Sequence, residues 1–255
     1  MKNKNSLPSE PLEVHVSSHD NLDSCFYPFG KSDICNLQKI VNTFLVDSDK
    51  EITFYNTTDG CLELILSKRH NVKSIIKDDH LYMDFWKCIV EDVNYFSKVL
   101  VSIFSNFDPK HVDDFVGLMG TALDKYVKSA FLYIVKNCCV QNENGSHDLH
   151  DSFRPQEVIE NMIKIKDIEI DNVTFYKTMP PNIESDLFFY INDSDNLKTC
   201  LDLCSQYDSW FLLTDLQKIN LKQIKKEKIL LLDERYLITK EPKKCKKCLI
   251  FSVKR

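Results

Sequence analysis

Short apolar runs bounded by polar residues recur along the chain. Each is five residues long and most are rich in β-branched and aromatic side chains, a pattern typical of buried strands. The predicted strands are 51–55 (EITFY), 72–76 (VKSII), 172–176 (NVTFY), 187–191 (LFFYI), 210–214 (WFLLT) and 228–232 (KILLL).

Between the early and late strands, the apolar positions recur at spacings of three and four, which predicts two long helices with one apolar face each. The first extends from Phe85 to Phe104, before Pro109, and the second from Val112 to Ile134. These faces are more typical of core packing than of a cofactor site. A polar, turn-rich loop at 142–155 separates this helical middle from the later strands.

Strands and helices in alternation predict an open α/β sheet. At the end of the chain, RYLIT (235–239), EPKKCKK and CLIFSV predict a C-terminal antiparallel hairpin. Residues 1–20 are polar, contain prolines and lack periodicity, so we expect a flexible tail. We therefore expect one domain over 21–255, with a helical insertion at about 105–170.

The composition is that of a folded, soluble protein. Apolar residues make up 43% of the 255 positions, enough to fill a core. No window approaches the roughly 18 uninterrupted apolar residues of a membrane-spanning helix, and the start, MKNKNSLPSEPLEV, lacks the apolar stretch of a secretory signal. We expect an intracellular protein, cytoplasmic or nuclear, without a membrane partner. The Lys-, Asn- and Ile-rich composition is typical of an AT-rich genome, such as that of a virus or a eukaryotic microbe.

Ten cysteines are scattered along the chain, several inside apolar runs, which favours reduced core thiols over a disulfide framework. Two pairs, Cys200 with Cys204 and Cys245 with Cys248, could supply four thiolates for zinc. Core or surface thiols are the alternative, and we assign no metal.

Two histidines of the 142–155 loop, His147 and His150, are each followed by an aspartate, Asp148 and Asp151. Such groups could bind a metal or act in acid–base chemistry. In a polar loop they are more typical of solvated turn residues.

Basic residues are concentrated near the end of the chain. Residues 221–255 hold twelve Lys/Arg against four Asp/Glu, a formal charge of +8, which leaves −13 for the remainder of a chain whose total is −5. Such a face attracts phosphates, and we predict a nucleic-acid contact at Lys243, Lys244, Lys246 and Lys247. The alternative is a solvated edge whose lysines protect strands from pairing with another chain.

Four stretches carry motifs in a fixed order: FYPFGKSDICNLQKIV (26–41), ITFYNTTDGCLELIL (52–66), IIKDDHLYMDFWKCIVED (75–92) and FFYINDSDN (188–196). Together they resemble the adenine-N6 DNA methyltransferases of the Dam-like (D12) class. The resemblance implies a Rossmann-like methyltransferase sheet, S-adenosylmethionine as the family's cofactor, and a helical insertion in the position of the family's DNA-recognition region.

The first two stretches correspond to cofactor-binding motifs of that family. Tyr27 and Lys31 match its YPGGKS loop, whereas Phe29 takes the place of a glycine. Only Gly60 remains of a glycine-rich turn that, in the family, wraps the methionine part of the cofactor. Glycines there let the backbone approach the cofactor, so the residues with a Cβ around Gly60 are expected to crowd it.

The third stretch keeps the family's FW pair at Phe85 and Trp86 but not its ribose-binding acid. Lys77 falls at that position, and an ammonium group accepts no hydrogen bond from a ribose hydroxyl. Asp78 could replace the acid only through a one-residue shift, which turns its side chain to the opposite side of an extended strand.

The fourth stretch aligns with the family's catalytic DPPY motif. The resemblance implies that Asn192 could still accept a hydrogen bond from an adenine amino group. Asp193, Ser194 and Asp195 replace Pro-Pro-Tyr, so the rigid turn and the ring that stacks on the flipped base are both missing.

Positions of the scaffold thus match the family while positions that bind ligands do not. Our leading hypothesis is a catalytically inactive relative that binds no cofactor and acts as a binding, scaffold or regulatory protein, through nucleic acid, a partner protein or an oligomer. One alternative is an active S-adenosylmethionine-dependent adenine-N6 DNA methyltransferase with a divergent site, in which Asn192 and Asp78 keep their roles. The other is a purely structural component of a larger assembly.

Overall fold

Seven strands form one central sheet in the computed structural model of the protein. The structure describes residues 27–29, 33–45, 47, 49–56, 59–75, 82–142, 144–151, 153–168, 170, 172–176, 178–179, 183–192, 195–218, 228–239 and 244–253. Predictions for residues 1–20, Lys31, Asp78, Asp193, Ser194 and Lys243 lie outside these residues.

Helices and strands alternate along most of the chain. The helices are α1 (Leu37–Asn42), α2 (Cys61–Ser67), α3 (Met83–Phe104), α4 (Val112–Thr121), α5 (Lys125–Cys138), α6 (Pro155–Lys164) and α7 (Leu197–Cys204). The strands are β1 (Glu51–Tyr55), β2 (Asn71–Ile75), β3 (Cys139–Gln141), β4 (His147–Leu149), β5 (Val173–Tyr176), β6 (Leu187–Ile191), β7 (Trp210–Asp215), β8 (Lys228–Leu232) and β9 (Lys247–Ser252).

The central sheet is mostly parallel, and its strand order is β5-β2-β1-β6-β7-β9-β8. Strands β5, β2, β1, β6 and β7 run parallel, and β9 is antiparallel to both of its neighbours. The order reverses between β1 and β6, so chain connections leave the sheet in opposite directions from that point. Strands β3 and β4 form a separate two-stranded antiparallel sheet.

All six predicted strands are present within one residue of their expected ends. They were recognisable because both faces of the central strands are buried, so the apolar runs are uninterrupted. On one face of the sheet, Phe54, Phe189 and Phe211 belong to the main core with α1 to α6. On the other face, Phe188 and Trp210 pack in a smaller cluster with α7.

The predicted C-terminal antiparallel pair is present as β8 and β9, but residues 235–239 are not its first strand. Strand β9 is inserted between β7 and β8, whereas residues 235–239 contribute only an isolated bridge between Leu232 and Ile238. The apolar residues of β9 are buried on both faces of the sheet. In the segment predicted to pair with it, Leu237 and Ile238 remain 40% and 41% exposed.

The second long helix was also predicted incorrectly, since it is two helices, α4 and α5. Ala122 and Asp124 have extended backbone conformations, and the Asp124 carboxylate caps α5 by accepting a hydrogen bond from the Val127 N–H at 3.0 Å. Leu123 continues the apolar spacing but is fully exposed, so the periodicity alone hid the break.

Two smaller departures concern the helical middle. Helix α3 is interrupted at Asp92, whose φ and ψ are −160° and 83° and whose carboxylate accepts a hydrogen bond from the Tyr95 N–H. The predicted 142–155 loop contains β4, which pairs with β3 around a turn at Gly145. In the part of the chain that the structure describes, no helix has both the length and the apolar character needed to cross a bilayer.

Candidate functional site

The carboxyl ends of β1 and β6 meet where the strand order reverses. In open α/β sheets this is the edge at which ligands bind, and both predicted motifs, around Gly60 and around Asn192, follow these strands. Asn56 directly follows β1, has a left-handed backbone with φ of 64° and is buried. Its Nδ2 donates to the Ile191 carbonyl at 2.7 Å, which ties the end of β1 to the residue before Asn192.

The sequence analysis missed Asn56. A recognisable signal was present, because asparagine tolerates a left-handed backbone better than most residues and is common where a strand turns sharply. Its N–H also donates to the Ile75 carbonyl at 3.0 Å, so one residue fastens the ends of three neighbouring strands.

Gly60 begins α2 with a left-handed backbone, φ 82°. A Cβ at this position would lie 2.4 Å from Cζ2 of Trp86, so the indole occupies the space beside the glycine. Trp86 is fully buried and stacks on Phe175 of β5, with 5.3 Å between ring centroids. In this structure the glycine is needed for its conformation and for contact with a core ring.

Phe29, at the position where the motif that the sequence resembles has a glycine, lies against α3. Its ring centroid is 4.8 Å from that of Tyr82 and 4.6 Å from that of Phe85. Tyr27, beside it, is buried, and the Pro28 carbonyl accepts a hydrogen bond from Asn137 of α5 at 3.1 Å. The opening loop is thus attached to the helices by its own aromatic side chain and by its backbone.

Asn192, the predicted adenine-binding residue, is buried, with 5% of its surface exposed. Its Nδ2 donates to Thr214 Oγ1 of β7 at 3.2 Å, and its Oδ1 accepts from the Asp195 N–H at 2.9 Å. Both ends of the amide are therefore engaged within the protein.

Asp195 is held by a second contact, since its carboxylate accepts a hydrogen bond from the Tyr190 hydroxyl. Burial, followed by this hydrogen bond, raises the pKa of Tyr190 above its usual value. Asn196 then caps α7 by accepting from the Lys198 N–H at 2.9 Å. The described part of the loop thus connects β6 to α7 through internal hydrogen bonds.

Glu63 is an unexpected buried acid in the first turn of α2. It has no exposed surface, and burial, with a smaller contribution from Asp59, raises its pKa to about 8. Ser74 at the end of β2 lies 3.5 Å from Oε1, and among the described residues Oε2 has no hydrogen-bond partner. The side chain is therefore neutral at pH 7. No local sequence pattern indicates its burial, because its neighbours in the helix are ordinary core residues.

The cysteines depart from the expected reduced set at one position. Cys35, in a 3-10 turn before α1, forms a disulfide with Cys61, the first residue of α2, and their Cα atoms are 6.5 Å apart. Seven other cysteines of the described chain are buried and are not disulfide-bonded. Cys200, Cys204 and Cys248 belong to the apolar cluster beneath α7, and no group of three or more metal-binding side chains occurs among the residues described.

The C-terminal lysines lie at the same edge of the sheet as Asn192, because β9 runs antiparallel and begins beside the ends of β7 and β8. Lys247 contacts Asp215 at 3.2 Å and lies over the Tyr236 ring, and Lys246 is 3.8 Å from Glu234. Two of the predicted nucleic-acid contacts are therefore paired with carboxylates, and Lys244 is exposed.

Comparison of the chain with known proteins provides no relative, because no family model and no curated protein matches it. The methyltransferase resemblance therefore depends on the four sequence stretches alone.

Proposed function

We propose that the protein is a Rossmann-like relative of the Dam-like methyltransferases that has lost methyl transfer and acts as a binding or scaffold protein. The strand order of the central sheet supports the Rossmann-like fold in this proposal. Counted along the chain within the central sheet, the first five strands have the order 3-2-1-4-5, which is the order of doubly wound dinucleotide-binding sheets. The antiparallel β9 accompanies them near one edge.

The observation that carries the proposed loss of methyl transfer is the burial and hydrogen bonding of Asn192. An amide that receives an adenine amino group must present its oxygen to the base, but this oxygen accepts from the Asp195 N–H and the side chain is 95% buried. The Pro-Pro-Tyr that would hold the base is absent from the sequence. Freeing the amide would break two hydrogen bonds that join β6, β7 and the following loop.

The residues at the positions of the family's cofactor-binding motifs support the same proposal. Phe29 fills space beside Tyr82 and Phe85, where the family motif has a glycine. Trp86 fills the space beside Gly60, and the residue matching the ribose-binding acid is Lys77. An aromatic ring and an ammonium group take the place of open backbone and a hydrogen-bond acceptor.

A protein partner fits the charges better than nucleic acid does. Lys247 is partly buried against Asp215 and lies over the Tyr236 ring, which offsets part of the phosphate attraction expected from the sequence. The helical insertion is acidic as well, since residues 105–170 hold eleven Asp/Glu against seven Lys/Arg. A polyanion would be repelled from the surface that corresponds to the family's DNA-recognition region.

Calorimetric titration with S-adenosylmethionine tests the proposal. We expect no binding heat at millimolar cofactor, for the wild type or for Asn192→Ala. Micromolar binding that Asn192→Ala leaves unchanged would restore the cofactor site without the adenine site. Micromolar binding followed by methylation of adenine in DNA would establish the active enzyme and overturn the proposal.

A further inference from the structure

A cavity of about 260 Å³ opens at the start of α4, where the helix meets the β3–β4 sheet. Its charged lining comprises Asp113, Asp114 and Asp148 against Lys110, with His111 and His147 beside them. The volume is below the range of sites for drug-sized ligands and suits a single side chain. The lining holds three carboxylates against one lysine, which favours a cationic side chain as the occupant.

Contacts with neighbouring residues position the three carboxylates of the lining. The Asp113 carboxylate accepts from the His147 N–H at 2.8 Å, and Asn142 donates to Asp148 at 2.8 Å. Asp114 Oδ2 lies 3.4 Å from His111 Nδ1. These contacts engage one oxygen of each carboxylate.

An apolar surface continues from the cavity along α4. Leu118 lies one helical turn after Asp114 on the same face and is 54% exposed, and Leu123, two residues after the end of the helix, is fully exposed. A Cβ added at Gly117 or Gly120 would meet nothing within 4 Å. Nothing within the described chain requires these glycines, and they leave the helix backbone open to close approach by another chain.

The end of the same chain carries a surface of opposite charge and similar apolar character, here called the C-terminal patch: Arg235, Leu237, Ile238, Lys244 and Lys246. Its members are held together around the end of β8, because Ile238 bridges Leu232 and the Lys246 N–H donates to the Leu232 carbonyl. Both leucine and isoleucine are about two-fifths exposed. The Lys246–Glu234 pair is exposed on both sides and is easily exchanged for another carboxylate.

We propose that the α4 surface of one copy binds the C-terminal patch of a second copy, with a lysine or arginine entering the acidic cavity. The charge distribution supports a second copy as the occupant, since residues 221–255 carry +8 and the remainder of the chain −13. Leu118 and Leu123 then pack on Leu237 and Ile238. Since the two surfaces differ, the association is head-to-tail and extends into rings or chains. This inference names the partner for the proposed binding role and rests on that role.

Sedimentation equilibrium of the full chain across a wide concentration range tests the inference. We expect concentration-dependent species larger than a dimer at low salt, with association at least tenfold weaker at high salt. The double variants Asp114→Lys/Asp148→Lys and Lys244→Glu/Lys246→Glu should each be monomeric alone. Mixed, they should associate again, because the two unchanged surfaces are complementary and the two charge-reversed surfaces are also opposite in charge.

Matched double variants control for net charge. Glu160→Lys/Asp202→Lys and Lys98→Glu/Lys198→Glu change exposed residues outside both surfaces by the same charge, and both should associate like the wild type. A wild type that stays monomeric at low salt would overturn the inference, as would a mixture that stays monomeric. Neither result bears on cofactor binding, so failure here and failure of the proposed function are distinguished by the S-adenosylmethionine titration.

Discussion

Trp86 packs its indole against the backbone of Gly60, so closely that the nearest ring carbon is 2.4 Å from the position of an added Cβ. The contact joins the first turn of α2 to α3 and, through the stacking of Trp86 on Phe175, to β5. The space beside the Gly60 backbone is therefore occupied by a side chain of the core.

We predict that Gly60→Ala destabilises the protein by about 3 kcal/mol or more. The substitution forces an L side chain into a left-handed backbone, which costs on the order of 1–2 kcal/mol, and it displaces a fully buried ring. Urea unfolding at equilibrium measures the change. Gly120→Ala is the control, because its Cβ would meet nothing and alanine favours a helix by up to about 1 kcal/mol. Equal stability of the two variants would contradict the role assigned to Trp86.

The sequence predicted those parts of the fold that depend on local pattern. Strands buried on both faces give uninterrupted apolar runs, so all six expected strands are present. The position of β9 between β7 and β8 depends on contacts distant in sequence, and no local pattern distinguishes it from a simple hairpin. The break between α4 and α5 was hidden because Leu123 continues the helical spacing while it faces solvent.

The candidate site was predicted in its location but not in its contacts. Motif spacing led to Gly60 and Asn192, which do lie after β1 and β6. The roles of Asn56 and Glu63 depend on burial and on partners in other strands, which spacing does not contain. Likewise, the expectation of reduced cysteines rested on composition, whereas the Cys35–Cys61 pair depends on the packing of α2 beside the turn before α1.

Glu63 should make the stability depend on pH. Its pKa is about 8 in the folded protein against 4.5 for an ordinary glutamate, so its neutral form stabilises the fold fully below pH 4.5. Relative to Glu63→Gln, the free energy of unfolding of the wild type should fall by about 1.4 kcal/mol per pH unit as the pH rises from 4.5 to about 8. Above that pH it should fall little more. Urea unfolding of both proteins between pH 5 and 9 measures the difference.

The control for Glu63 is Glu160→Gln, which removes a carboxylate from the exposed face of α6. Its stability relative to the wild type should stay nearly constant over the same pH range. A constant difference between wild type and Glu63→Gln would show that the Glu63 carboxylate ionises in the folded protein as readily as in the unfolded chain.

Asn192 and Thr214 should be coupled in stability. Asn192→Ala removes the hydrogen bond to Thr214 and leaves the partly buried Asp195 N–H without its Asn192 acceptor, at a cost of about 2 kcal/mol. Thr214→Val removes only the first of these bonds. In a double-mutant cycle by urea unfolding, we expect a coupling energy of about 1 kcal/mol. Additive effects would mean that the amide is free to turn toward a ligand, as the active-enzyme alternative requires.

Reduction of the Cys35–Cys61 disulfide should lower the stability of the protein. The two residues are 26 positions apart. Closing a loop of this size lowers the conformational entropy of the unfolded chain, which stabilises the folded protein by about 3 kcal/mol. For a chain of this length the loss corresponds to a fall in Tm of about 10 °C, measured by thermal unfolding with and without a thiol reductant. The other cysteines of the described chain are not disulfide-bonded, so among the described residues the reductant acts on this pair. Cys35→Ala/Cys61→Ala should melt near the reduced protein and show no response to reductant. Alkylation of both thiols without prior reduction would contradict the disulfide, because a sulfur in a disulfide does not react.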